Sequence, residues 1–381
     1  MTILEGLNMD VILMEILPRL PAKTLIRFKS VCKSWNSIIS SWDFVRLYLR
    51  HQSLSSSEAD KRLILAGNVR INCYQLDPHA TTTTTTFDYS KTSLYMSVIG
   101  TSNGLLCIRR NRGKFSEYCI LNPTTRICRC IRSTLHEELG VVHSFGFGFD
   151  HENLDYLIVV VSEYHNKTRI TSVYSLNKNS WSVFDEITFP TDTIHPLRKY
   201  GVLIDDNNLL HWMFWMPALH KYRIGCFDIC KKKWTYDVLL PRFYDDPTCN
   251  QETYRVDIGI NDDCLSLTFK DGIENRYDVW VMKEYGVQES WVMLVSIPVL
   301  SCFRGKIIKF VASCRSSEMI LLRHYFSCRF FWYNKVNGGL SETKFDGAPD
   351  LSNIQTYICS RSLVHLPGRQ LFEHSKAVCM E

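Results

Sequence analysis

From Met9 the apolar side chains recur at positions 9, 12, 13, 16, 17 and 20. At 100° per residue this spacing gathers them on one face about 140° wide, which predicts an amphipathic helix. Val11 and Met14 fall on the far side and give that helix a second, smaller apolar face, so it needs two neighbours. Pro18 and Pro21 in LPRLP end it, because proline lacks the backbone N–H and pushes the preceding residue toward extended conformations. Pro21 then opens a second helix, where its fixed φ is suitable. There Leu25, Phe28 and Cys32 share a face with Val31 beside it, leaving Lys23, Arg27, Lys29 and Lys33 for solvent. Trp35, Ile38, Ile39, Phe44, Val45 and Leu47 continue the apolar supply through a third short helix. A unit of about 45 residues cannot easily bury this much apolar surface alone. The surplus marks an interaction site, unless the stripes pack only on the domain that follows.

After a polar stretch from Gln52 to Lys61 the pattern changes to short apolar runs bounded by Gly, Asn, Asp and Pro, which predict strands and turns. The monotonous run from Thr81 to Thr86 reads as an exposed loop. The remainder is self-similar. YSLNKNSWSVF (174–184), FDICKKKWTY (227–236) and VWVMKEYGVQESWVML (279–294) each read as a strand, a polar turn and a strand opening with tryptophan. ILNPTTRICRCI (120–131) repeats the scheme one period earlier without the tryptophan, and FFWYNKVNGGLSETKF (330–345) one period later. A period near 50 residues with about four strands per unit is the signature of kelch-type propeller blades, and division of the body by that period predicts about six. The competing architecture is a β-sandwich built from generic hairpins. The fold class expected is therefore α+β in separate domains, a small three-helix head followed by an all-β propeller-like body.

Charge narrows the function. The 44 basic and 39 acidic residues are interspersed, without the clustered basic stripe of a nucleic-acid binder, so no nucleic-acid partner is expected. The 15 cysteines are irregularly spaced and include no CxxC. Cys128-x-Cys130 and Cys226-x3-Cys230 are the close pairs, and neither has a matching Cys or His knuckle nearby. Both read as strand residues, with free thiols in a reducing compartment and no metal. The first ten residues carry Glu5 and Asp10 and no basic leader, and the longest strongly apolar run, Tyr156 to Val161, is far short of a membrane span, so no membrane partner is expected. No HExxH, GxSxG or phosphate-cradling loop occurs, FGFGFD lacks the third glycine of a nucleotide fingerprint, and His211 reads as a strand histidine. Neither a catalytic residue nor a cofactor is expected.

The run LNMDVILMEILPRLPAKTLIRFKSVCKSWNSIISSWDFVRLYL closely resembles the F-box of plant F-box proteins over about forty positions in order. The resemblance implies a three-helix unit that docks on a Skp-type adaptor, which joins a cullin and a RING subunit in a ubiquitin ligase. Carried over residue by residue, Leu7, Ile12, Leu13, Ile16, Leu17, Leu20, Pro21, Leu25, Phe28, Val31, Cys32 and Trp35 occupy the family's apolar and docking positions. Some of these hold the helices together rather than touching the adaptor. The departure is Asn8, where the family has proline; an Asn can instead cap the first helix. GTSNGLLCI (100–108), LNPTTR (121–126), FGFGFD (145–150), LLHW (209–212) and DVWVMKEYGVQESW (278–291) are similar to the F-box-associated domain of the same family, a kelch or galactose-oxidase-like propeller.

The organisation expected is an F-box over 1–50, a linker over 51–62, an F-box-associated propeller over 63–368 and a tail over 369–381. The resemblance implies a non-catalytic substrate receptor of an SCF-type (Skp, cullin, F-box) ligase, cytoplasmic or nuclear, that presents an unidentified protein for ubiquitination and proteasomal degradation. Two alternatives are an F-box protein that binds its target without ubiquitination and a propeller enzyme or small-molecule sensor with a merely structural head. Loops Asp192 to Tyr200 and Arg242 to Gln251 are candidate target contacts by polarity and aromatic content.

Overall fold

Each copy of the strand–turn–strand repeat forms the third and fourth strands of a four-stranded antiparallel blade. The structure, a computed structural model, describes residues 11–366 apart from the interior stretches 56–60, 80, 90–94, 112–115, 134–140, 164–168, 187–194, 197–199, 205–207, 217–218, 236–237, 246–253, 272, 300–307, 315–317, 325–328 and 349–353. Blade 1 holds β1 (Lys61–Ala66), β2 (Arg70–Gln75) and β3 (Thr83–Asp88). Blade 2 is β4 (Tyr95–Ser102), β5 (Leu105–Asn111), β6 (Ser116–Asn122) and β7 (Ile127–Arg132). Blade 3 is β8 (Val141–Asp150), β9 (Asp155–Glu163), β10 (Arg169–Ser175) and β11 (Ser180–Glu186). In blade 4 the inner strand is split into β12 (His195–Pro196) and β13 (Val202–Ile204), both paired with β14 (Leu209–Met216), followed by β15 (Lys221–Asp228) and β16 (Lys233–Thr235). Blade 5 is β17 (Tyr254–Asn261), β18 (Cys264–Asp271), β19 (Arg276–Met282) and β20 (Trp291–Pro298). Blade 6 is β21 (Ile308–Cys314), β22 (Met319–His324), β23 (Phe330–Asn334) and β24 (Leu340–Thr343). The last strand, β25 (Gln355–Ser360), returns to β1 with Lys61 opposite Ser360 and completes blade 1 as its inner strand. The body is thus a closed propeller of six blades, with its two ends joined in one sheet.

The polar turns between paired strands are held by Asx turns. Asn122, Asp150, Asp271 and Asn334 each accept two backbone N–H bonds from residues two and three positions on, a local bond that selects turn over strand. The recurring tryptophans couple blades. Trp234 in β16 donates its indole N–H to Thr171 Oγ1 of blade 3 (2.8 Å), and the Trp181 ring in β11 lies 5.7 Å from that of Tyr118 in blade 2. Trp291 in β20 reaches Leu239 O (2.9 Å) in the segment that enters blade 5. FGFGFD serves the same interfaces. A Cβ on Gly146 would lie 2.6 Å from Leu210 Cδ1, and one on Gly148 would collide with Ile229 and Leu203, so the glycines of β8 admit apolar side chains from blade 4.

The Thr81 to Thr86 segment corrects the sequence reading. Thr83 to Thr86 belong to β3, the outer strand of blade 1, with burial alternating toward buried Phe87. Threonine is β-branched and fits an edge strand, but a run of one residue type shows no apolar alternation.

His211 in β14 is fully buried, with Nδ1 3.2 Å from Val202 O and Nε2 2.8 Å from the Tyr285 hydroxyl. The carbonyl only accepts, so Nδ1 donates to it and Nε2 accepts from Tyr285. Burial pushes the imidazole down to about 4. The unfolded chain titrates near the ordinary value and binds the proton first as pH falls. His211 thus contributes stability that is complete above about pH 6.5 and lost toward pH 4, about 3 kcal/mol at most. Urea melts at pH 7 and pH 4.5 test this, with His211→Gln expected to flatten the slope across that window.

Candidate functional site

The head begins with α1, a π-helical stretch Ile12–Ile16 continued by a 3-10 turn Leu17–Arg19 that contains Pro18. Leu20 turns extended (ψ 148°), and Pro21 leads into α2 (Ala22–Phe28). α2 ends at Phe28, so Val31 and Cys32 lie in the connection to α3 (Lys33–Ser40) rather than on the helix. The expected third helix is two. Ser41 breaks it, its hydroxyl donating to Ile38 O (2.7 Å) and accepting from Phe44 N (3.3 Å) to start α4 (Trp42–Ser55). α4 carries helix into the stretch read as linker.

The twelve F-box positions divide by burial. Leu17 and Leu25 are interior, packed with Ala22, Ile39, Phe44, Val45 and Tyr48. Ile12, Leu13, Leu20, Phe28 and Trp35 are half-buried, with the Phe28 and Trp35 rings edge to face at 5.4 Å joining α2 to α3. Ile16, Pro21, Val31 and Cys32 are exposed, and Leu7 lies outside the described residues. Val31 is 65% exposed, Met14 55% and Val11 43%. The second apolar face of α1, formed by Val11 and Met14, is therefore bare. Neither residue is among the twelve, although the 3.6-residue period had placed both on that side. At Cys32 the Ser34 hydroxyl, 3.1 Å from the sulfur, holds the thiol below its ordinary range.

The head is seated on the propeller by its other side. Trp42 stacks on Phe149 at the end of β8 (5.6 Å, 28°), and the interior of the head is continuous with the core between blades 2 and 3. A cavity of about 690 Å³ runs along the propeller axis. It is lined by one inner strand from each blade, through Gly100, Phe149, Ile204, Ile260, Val311 and Ile358, and by Trp42 and Leu49 of α4. The turns joining first to second strands, at Gly104, Leu154, Asn208 and Asp262, also line it, so α4 sits over that end. In a four-stranded meander the crossovers between blades leave from the opposite end.

Both candidate target loops fall within such crossovers, from β11 to β13 and from β16 to β17. Within the second, the short helix α5 (Arg242–Asp245) spends its aromatic residues internally. Phe243 stacks on Trp280 (4.9 Å), and the buried Tyr244 hydroxyl accepts from Tyr222 N (3.1 Å). Arg242 pairs with Glu289 at the surface. Residues 246–251 and most of the first loop lie outside the described residues.

The cysteine pairs are rearranged by the fold. Cys226 lies on β15, but Cys230 is in the following turn, its thiol 3.3 Å from Asp150 Oδ1, which corrects its reading as a strand residue. Cys128 and Cys130 lie on β7 and are joined by Cys119 of β6, the three sulfurs within 4.8 Å of one another. Cys119 was invisible as a partner because only strand pairing brings it there. Among the described residues no helix is long and apolar enough to cross a membrane.

A helical head with exposed apolar side chains, fixed to one end of a six-bladed propeller, defines a two-part architecture. The description "F-box domain" matches residues 10–47, and "F-box associated beta propeller domain" matches 58–327. The chain belongs to the F-box proteins with an F-box-associated propeller. It is 29% identical to the F-box/kelch-repeat protein At3g23880 of Arabidopsis thaliana over 76% of this chain and 79% of that one. It is 28% identical to the F-box protein CPR1 of the same plant, over 74% and 71% of the two chains.

Proposed function

We propose that this protein is the substrate receptor of an SCF-type ubiquitin ligase, gripping a Skp-type adaptor with the head and a protein target with the propeller face opposite α4. The observation that carries the reading is that Val11, Met14, Ile16 and Val31 stay exposed although the head is packed on the body. Burying a large apolar side chain is worth roughly 1.5–3 kcal/mol, while association costs on the order of 4–15 kcal/mol. The four exposed residues with the half-buried rim of Ile12, Leu13 and Leu20 can exceed that cost, whereas one or two anchors could not.

In this reading the chain changes no bond. Cullin and RING subunits join through the adaptor, and the amine of a target lysine held close by attacks the ubiquitin thioester on a conjugating enzyme, forming an amide and releasing the enzyme's thiol, where effective concentration lowers the barrier. The eleven free cysteines among the described residues suit a reducing compartment, and we place the protein in the cytoplasm or nucleus. The test is co-expression of the full chain with a recombinant Skp-type adaptor. A stoichiometric complex, able to recruit cullin and RING and to ubiquitinate a captured protein, is expected. A full chain that elutes alone would defeat the assignment.

A further inference from the structure

Three thiols meet in blade 2 without any role in docking. Cys119 and Cys130 are directly opposite on β6 and β7, and Cys128 is the diagonal neighbour on the same face. Ser133 N donates to Ser116 O (2.9 Å), which phases the ladder so that Cys119 and Cys130 form a pair without hydrogen bonds, the kind in which side chains come closest. The Cys119 and Cys130 sulfurs are 2.7 Å apart, and those of Cys128 and Cys130 3.8 Å. Cys119 and Cys128 are fully buried, while Cys130 is half-buried and leaves a way in.

One buried ion pair borders the sulfurs. The Arg110 side chain is 0% exposed, bonded to Glu117 (2.5 Å), and its Nη2 lies 3.6 Å from Cys130 Sγ. The Tyr89 ring lies 5.5 Å from the same guanidinium. The guanidinium, shared with Glu117, offsets part of the charge that the thiols acquire on losing protons.

We propose that Cys119, Cys128 and Cys130 form a three-sulfur site for a soft thiophilic cation, Cu(I). Thiolate ligands select soft ions. Structural Zn(II) takes four ligands, and among the described residues no fourth Cys, His, Asp or Glu joins the group. A metal–sulfur bond of about 2.3 Å sets sulfurs about 3.8–4 Å apart. Cys128 and Cys130 already meet that spacing, and Cys119 reaches it by a movement of about 1 Å. Each sulfur binds as a thiolate, so binding releases three protons and leaves two negative charges on the copper–sulfur unit, beside the Arg110–Glu117 pair. The ion would fasten β6 to β7 at the outer edge of blade 2.

The experiment titrates the reduced full-length protein with Cu(I) under anaerobic conditions against a chromogenic Cu(I) chelator. One equivalent held against the chelator is expected, with X-ray absorption showing three sulfur neighbours and a raised melting temperature. Cys130→Ser and Cys128→Ala, checked for folding by circular dichroism, should each weaken retention by about 100-fold or more. Cys264→Ser, in β18 of blade 5, should leave copper retention unchanged. The proposal is overturned if the chelator strips the wild-type protein, if the blade 2 variants hold copper equally well, or if Zn(II) binds there in preference. A shell of fewer than three sulfurs overturns it as well, and that reading does not depend on any variant folding.

Discussion

Aspartate at both Met14 and Val31 is expected to weaken capture of a Skp-type adaptor by about 100-fold or more while leaving the fold intact. The two side chains are 55% and 65% exposed, so the free protein loses little packing, and surface changes of this kind stay within about 0.5 kcal/mol. In a complex that buries them, each lost side chain removes roughly 1.5–3 kcal/mol. The new carboxylates must also shed water against an apolar partner. At about 1.4 kcal/mol per decade of affinity, the pair together weakens binding by about 100-fold or more. Biolayer interferometry against immobilised adaptor reads this, with thermal melts as the control for folding. Leu17→Asp would behave differently. Leu17 is 2% exposed, so that variant would lose stability and binding together and could not separate docking from folding. Unaltered affinity in the double variant, with the melting temperature held, would remove α1 and the α2–α3 connection from the adaptor interface.

Much of this architecture was legible in the chain because its repeats leave local marks. A polar turn between two strands needs Asx residues nearby, and Trp181, Trp234 and Trp291 recur because in blades 3, 4 and 5 one large side chain reaches the neighbouring blade or the segment that enters the blade. The helical period of the head likewise gave the bare side of α1. What stayed hidden depended on distant partners. Nothing near Trp42 announces Phe149, and Cys119 meets Cys130 only through the register of β6 on β7. The break at Ser41 was missed for another reason: the apolar period runs on through it, and only the hydroxyl's bonds to Ile38 O and Phe44 N divide the helix. Aromatic content misled at α5, where Phe243 and Tyr244 point into the body rather than toward a partner.

The body has its own point of failure at Trp212, in the LLHW motif on β14. The side chain is fully buried between blades 3 and 4, its ring 5.1 Å from that of Trp234. The fold makes room for it by omitting neighbours. A Cβ on Gly201 would stand 2.6 Å from Trp212 Cε2, and one on Gly146 would stand 3.1 Å from Cζ2. Trp212→Ala is therefore expected to destabilise the protein by about 3–5 kcal/mol, a large share of the roughly 5–15 kcal/mol that holds a typical domain. The indole N–H has no acceptor among the described residues, so its removal restores a little, and the lower half of that range is the better expectation. Gly201→Ala alone should cost about 1–3 kcal/mol by overpacking. Combined with Trp212→Ala, the same methyl enters the vacated space, so the two losses should sum to more than the double variant shows. Urea unfolding of the four proteins measures the coupling. Strict additivity would mean that the glycine is not there to admit the indole, and that the close fit of blades 3 and 4 rests on other residues.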